Sequence, residues 1–130
     1  MLRGLTTQTH YVDDVPAAIA WYREVLGIDP YFLRPSADEP AYGEFRIGPD
    51  EDELGFIDRR FAPPGRDTAG GGPSTTYWHV DDVAADRLVA LGATELEPVV
   101  EREAGFVTAV ALDPFGNAVG LMHSPHWLRQ

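Results

Sequence analysis

Apolar and polar residues alternate along this chain in two rhythms, one of period two and one of helical period, and the whole series occurs twice. Residues 5–12 form a run rich in Thr, Tyr and Val that reads as a strand. Val15, Ala18, Ile19, Tyr22 and Leu26 then recur at helical spacing and make one apolar stripe. Asp13 and Asp14 stand where an N-cap belongs, Pro16 is tolerated in a first turn, and Gly27 supplies the stop. Three further strand-like runs follow, near residues 31–34, 42–47 and 53–58, parted by turn residues from Pro35 to Pro40 and at Gly48-Pro49-Asp50. Residues 75–80 begin the series again. Asp81-Asp82, a shorter stripe of Ala84, Leu88 and Leu91, and the stop Gly92 repeat the helix. Runs near residues 96–100, 106–112 and 118–122, with the turn Asp113-Pro114-Phe115-Gly116-Asn117, complete it. The predicted order is β-α-β-β-β, twice.

The two copies correspond residue by residue. Tyr11-Val12-Asp13-Asp14-Val15 returns as His79-Val80-Asp81-Asp82-Val83, 68 positions on, and Leu26-Gly27 returns as Leu91-Gly92, 65 positions on. Ile47-Gly48-Pro49 matches Leu112-Asp113-Pro114, and residues 53–57 match 118–122, also 65 positions apart. The first helix is therefore about a turn longer than its twin, and beyond the helix the copies align without gaps. Two copies are too few for a solenoid. They suit a pseudo-symmetric pair that shares a core and leaves a cleft between its halves. Residues 62–73, rich in Pro and Gly and without apolar periodicity, read as the linker between modules of about residues 5–61 and 74–123, within one domain spanning 1–130.

Composition narrows the chemistry. A chain of 130 residues can bury a real core. With 21 acidic against 10 basic residues the net charge is −11, which disfavours phosphate backbones as partners and leaves room for a cationic ligand. The absence of Cys removes disulfides, thiolate nucleophiles and Cys-ligated metals. No uncharged apolar run is long enough to span a bilayer, and the first residues lack a signal-like apolar stretch, so the expectation is a cytoplasmic protein without membrane or nucleic-acid partners. Ser36, Ser74 and Ser124 sit in no Gly-x-Ser-x-Gly elbow. Gly70-Gly71-Gly72 lacks the Lys-Ser/Thr of a phosphate loop. Asp50-Glu51-Asp52-Glu53 reads as a solvated hairpin tip, and Asp58-Arg59-Arg60 as mutually paired surface charges.

The Val-Asp-Asp before an amphipathic helix, the Trp21-Tyr22-Arg23-Glu24-Val25-Leu26-Gly27 that ends it and the Asp113-Pro114-Phe115-Gly116-Asn117 before the last strand resemble the vicinal oxygen chelate superfamily, which includes glyoxalases, extradiol dioxygenases and bleomycin-resistance proteins. The resemblance covers nearly the whole chain. It implies an α+β fold in which two βαβββ modules form a curved eight-stranded mixed sheet around a cleft, with helices on the outer face. It also implies a homodimer, in some members with modules exchanged between chains. Metal-using members carry His, Gln or Glu on the first and last strand of each module. The matching positions here are Thr7, Gly55, Thr75 and Gly120, none of them a good ligand for a divalent metal. A register error would bring Glu53 to the place of Gly55, but neither His nor Glu lies within two residues of Gly120. No metal and no cofactor is expected.

Strand parity then assigns a lining to the cleft. It comprises Thr7, Thr9 and Tyr11; Tyr42, Glu44 and Arg46; Gly55 and Ile57; Thr75, Tyr77 and His79; and Gly120 and Met122, with Phe115 and Trp127 at the rim. His10 falls on the opposite face as a structural histidine, and His123 and His126 read as tail residues. An inward Glu44 and Arg46 need each other or a polar ligand group. The preferred reading is metal-independent binding and sequestration of a small aromatic natural product, with a cationic one also suited by the acidic chain, as in the bleomycin-resistance branch. The alternative is a glyoxalase-, epimerase- or dioxygenase-like enzyme using a divalent metal or a His79/Glu44 acid–base pair. A third, an interaction subunit, predicts a cleft filled by its own side chains.

Overall fold

A computed structural model describes residues 1–66, 72–83 and 85–129, apart from the side chains of 85–87. It divides into two compact units, Met1–Asp67 and Thr68–Gln130. The division falls in the Pro/Gly segment, of which residues 67–71, and with them Gly70 and Gly71, lie outside the described residues, as does Ala84 of the second stripe. No described helix is long and apolar enough to cross a membrane.

In the first unit, β1 (Thr7–Val12) leads into α1 (Val15–Leu26), then β2 (Phe32–Arg34), β3 (Tyr42–Ile47) and β4 (Asp52–Asp58). The sheet order is β1-β4-β3-β2, with β1 parallel to β4 and the other pairs antiparallel. The Asp14 carboxylate accepts from the Ala17 N–H at 3.0 Å, closing the helix N-terminus, while Gly27, at φ 69°, ends it by donating to the Arg23 carbonyl. Val15, Ala18, Ile19 and Tyr22 are buried as the stripe predicts, and Leu26 is half-buried. That stripe packs on one face of the sheet, where the Tyr22 ring lies 4.5 Å from that of Phe56. His10 stacks on Phe56 there too, in keeping with a structural role. Gly43 leaves room on this face for Ile19 and Leu33, whose terminal methyls would stand 2.6 Å and 2.8 Å from a Cβ there.

The second unit runs β5 (Tyr77–His79), α2 (Ala85–Ala90), β6 (Thr94–Glu101), β7 (Val107–Leu112) and β8 (Ala118–His123). Its sheet has the equivalent order β5-β8-β7-β6, again with the first pair parallel. Each module is thus the expected βαβββ unit, each with its own four-stranded mixed sheet, and the class is α+β. α1 has 12 residues and α2 has 6, the inequality that the change of offset predicts.

One expectation is corrected. The copies do not align without a gap in the third strand: Gly55 sits opposite Glu44, whereas Gly120 sits opposite Val110. Ile47 pairs with Asp52 across a four-residue turn, and Leu112 with Ala118 across five residues. Ten residues separate Glu44 from Gly55 and nine separate Val110 from Gly120, so with the two glycines equivalent the second connection is one residue shorter. It holds Asp113–Asn117, where the Asp113 carboxylate accepts from the N–H groups of Phe115 and Asn117 at 2.9 Å each. A turn that satisfies its own backbone in this way fixes a different pairing register from its twin.

Candidate functional site

The face of the first sheet opposite α1 is built in cross-strand rows. Tyr11, Ile57, Tyr42 and Arg34 form one row, and Thr9, Gly55, Glu44 and Phe32 the next. Thr7, Glu53 and Arg46 form the third. Parity therefore places all eight first-module site residues on one face, as the sequence predicts. Three members it misses are Phe32, Arg34 and Glu53. Glu53, the last residue of the acidic Asp50–Glu53 run, is a strand residue two positions from Gly55, where the same alternation places it on this face.

Tyr42 is the hinge of this face. Its hydroxyl donates to Glu44 Oε2 at 2.9 Å and lies over Gly55, where a Cβ would come within 3.0 Å of the oxygen. The position equivalent to a metal ligand is therefore roofed by a phenol that only a small residue accommodates without adjustment. Burial, then the hydrogen bond and charge of Glu44 and the charge of Glu53, push the Tyr42 hydroxyl up to about 12. Glu53 is also raised, first by its hydrogen bond with Glu44, then by desolvation and the Glu44 charge, with Arg46 acting in the opposite direction. Of the two outcomes expected for an inward Glu44 and Arg46, mutual pairing is not the one found. The Nη1 and Nη2 atoms of Arg46 lie 3.5 Å from Glu51 and 3.6 Å from Glu53, and its guanidinium lies 3.7 Å from the centroid of the Tyr31 ring.

Beside this network the first unit contains a cavity of about 440 Å³ lined by Arg34, Pro35, Ala41, Tyr42, Ile57 and Phe61. Its volume lies within the usual range for small-molecule sites, roughly 300–1,000 Å³. Tyr42 and Ile57 were foreseen. Phe61 ends a 3-10 turn, Arg59–Phe61, that no periodicity announces. The turn is anchored by Arg59, which reaches back to Asp13 at 2.7 Å and to the Tyr11 carbonyl at 3.3 Å. Arg60 pairs with Asp58 at 3.6 Å, so only one of the two arginines follows the local pairing read from the sequence.

In the second unit Tyr77, Gly120 and Val110 share a row, as do His79, Met122 and Thr108. Thr75 precedes β5, and its methyl stands 2.8 Å from where a Gly120 Cβ would be. The Thr76 carbonyl stands at 2.6 Å from that point and accepts the Gly120 N–H. Phe115 is in the β7–β8 turn, at the opposite end of β8 from His79. Trp127 instead stacks on His79, rings 4.3 Å apart and 9° from parallel. His79 Nδ1 accepts the Ser124 N–H at 3.1 Å, so the neutral ring carries its proton on Nε2, which is buried and 3.5 Å from Asp81 Oδ1. His123 is not a tail residue: it closes β8, and its ring lies 5.5 Å from that of His79. His126 packs edge-on against Phe106.

Comparison with known proteins assigns this architecture. A model of one protein family matches residues 6–121, nearly the whole of both modules. The chain belongs to the Glyoxalase/Bleomycin resistance protein/Dioxygenase superfamily. No curated protein matches it. Among solved structures it is similar to UcmS2, with 25% identity over 95% of this chain and all of that one, at a TM-score of 0.70. It is similar to a lactoylglutathione lyase from Agrobacterium tumefaciens, with 24% identity over 98% of each chain and a TM-score of 0.69. A glyoxalase/bleomycin resistance protein from Catenulispora Acidiphila shares 22% identity over 94% of this chain and 100% of that one, at 0.63. Likeness of this order establishes the superfamily fold and leaves activity to the site. The superfamily's metal centre does not fit the residues present. Thr7, Gly55, Thr75 and Gly120 offer no imidazole or carboxylate, and no cluster of three His, Asp or Glu arranged for a metal occurs among the described residues.

Proposed function

We propose that this superfamily member binds and sequesters a small aromatic molecule without a metal. The observation that carries the reading is the cavity beside Tyr42. Its walls are the Ile57, Pro35 and Ala41 side chains and the exposed ring of Phe61, and its polar contacts are few. Apolar walls with one phenol and one guanidinium suit a flat ring that stacks and makes one or two oriented hydrogen bonds. The residues at the ligand-equivalent positions support the metal-free part, since Gly55 serves to seat the Tyr42 ring and Gly120 to admit the Thr76 carbonyl. The expectation of a cationic ligand draws support from the net charge of −11 only at long range, where salt screens it.

The test is calorimetric titration of EDTA-treated protein with 2-naphthamide as probe, followed by chromatographic recovery of the compound. The expected result is one-to-one binding, unaffected by added Zn²⁺ or Mg²⁺, weakened about tenfold or more by Tyr42→Ala, with the probe recovered unchanged. No binding, or binding only with metal, overturns the reading.

One observation favours an enzyme as the second reading: the Tyr42 hydroxyl in the cavity wall donates to Glu44, which hydrogen-bonds Glu53, a carboxyl raised by that contact. In that case the acid–base pair is Glu44 and Glu53. The hydrogen-bond partners found for Glu44 and His79 lie within their separate units. A pH–rate profile for any turnover, lost in Glu53→Gln, would establish it.

A further inference from the structure

We infer that the ligand of the first-unit cavity carries an anionic group, a carboxylate or its equivalent, on its apolar body, and that Arg34 recognises it. The inference rests on the proposed aromatic site and adds the charge of its occupant. Among the first unit's described residues Arg23, Arg46, Arg59 and Arg60 each pair with a carboxylate, whereas Arg3 and Arg66, outside the sheet, do not. Arg34 is the arginine of the sheet face that has no such partner. Among the described residues no carboxylate lies within ion-pair distance of it, and its one ring contact is Phe32, at 5.8 Å from the centroid. It ends β2 directly opposite Tyr42, on the cavity face, and forms part of the cavity wall.

The neighbouring polar groups are committed elsewhere. The Tyr42 hydroxyl donates its one hydrogen bond to Glu44, so its oxygen can otherwise only accept and cannot hold an anion. Arg46 is engaged by Glu51, Glu53 and the Tyr31 ring. The carboxyl pair, which would repel an anion, lies one and two rows from Arg34 and is offset by Arg46, 3.6 Å from Glu53. Arg34 is thus the donor left to meet the ligand, with a planar fork that matches a carboxylate in a bidentate manner. Pro35, Ile57 and Phe61 receive the apolar body next to it.

Three probes separate charge from aromaticity: 2-naphthoate, 2-naphthamide and the saturated decalin-2-carboxylate, each titrated against wild type, Arg34→Gln and Arg34→Lys. Wild type is expected to bind 2-naphthoate about tenfold or more tightly than 2-naphthamide, the usual scale for a hydrogen bond to a charged group. Arg34→Gln should abolish that preference by weakening 2-naphthoate far more than 2-naphthamide, with the melting temperature unchanged, and Arg34→Lys should restore part of it. Equal affinity for naphthoate and naphthamide, or a preference that survives Arg34→Gln, overturns the inference and leaves the aromatic site standing. Decalin-2-carboxylate bound as tightly as naphthoate, and dependent on Arg34, confirms the anion and overturns the aromatic reading. No binding of any probe overturns both.

Discussion

Gly55 and Gly120 occupy equivalent places in the two sheets, yet replacing each by alanine should have unequal results. A Cβ at Gly55 meets the Tyr42 hydroxyl at 3.0 Å and two ring carbons at 3.4 Å, and the ring can yield by a few tenths of an ångström. Loss of unfolded-chain freedom partly offsets that strain, so Gly55→Ala should stay within about 1 kcal/mol of wild type in urea unfolding. A Cβ at Gly120 meets the Thr76 carbonyl at 2.6 Å, with Thr75 and Tyr77 at 2.8 Å. There the backbone must move, and Gly120→Ala should cost about 1–3 kcal/mol. The Tyr42 hydroxyl provides a second check. It is raised to about 12 from an ordinary 10, so the folded state keeps this proton after the unfolded chain has lost it. The corresponding stabilisation is complete below pH 10 and is lost as pH climbs towards 12. Phenolate absorbance should therefore show one of the five tyrosines ionising late, and Tyr42→Phe should remove that step together with the matching fall in stability.

At the scale of elements, α1 owes its boundaries to two local devices and its position to one aromatic contact. Asp14→Ala removes the acceptor of the Ala17 N–H and should cost about 1 kcal/mol by thermal or urea unfolding. Phe56 is fully buried between Tyr22, Phe45 and His10, so Phe56→Ala should cost about 3–5 kcal/mol, the largest loss among these variants. These elements were legible because the signals are local: a cap, a stripe at helical spacing and a glycine stop are all written within a few residues. Alternation along β3 likewise places Phe45 against the helix and Glu44 away from it. Arg34 and Phe61 were not legible for the same reason. β2 has three residues, too few to establish a period, and Phe61 ends a 3-10 turn placed by Arg59 reaching across to Asp13 and Tyr11. Cross-sheet rows depend on pairing, which a single strand does not state.

For the molecule as a whole, a net charge of −11 argues against polyanionic macromolecules. No retention on a DNA column is expected at about 0.1 M salt, where the screening length is about 10 Å. The same charge does not forbid a small anion at Arg34, because recognition there is decided by groups in contact. The duplicated βαβββ order was readable from repeated words in the chain, but the pairing of β7 with β8 was not, because turn length acts on register through geometry rather than composition. That one-residue difference has a consequence for anyone who would make the halves interchangeable. A chimera that copies residues 42–47 into the second module by the apparent 65-residue spacing would set Glu44 and Arg46 at Ala109 and Ala111, each only 1% exposed. Two charges would be driven into the core, and the graft should fail to fold. Moved one place further along, Glu44 and Arg46 would land at Val110 and Leu112, opposite Gly120 and Ala118, which restores the face, but Val110 is also only 1% exposed, so the second half has no room for the polar wall of the first.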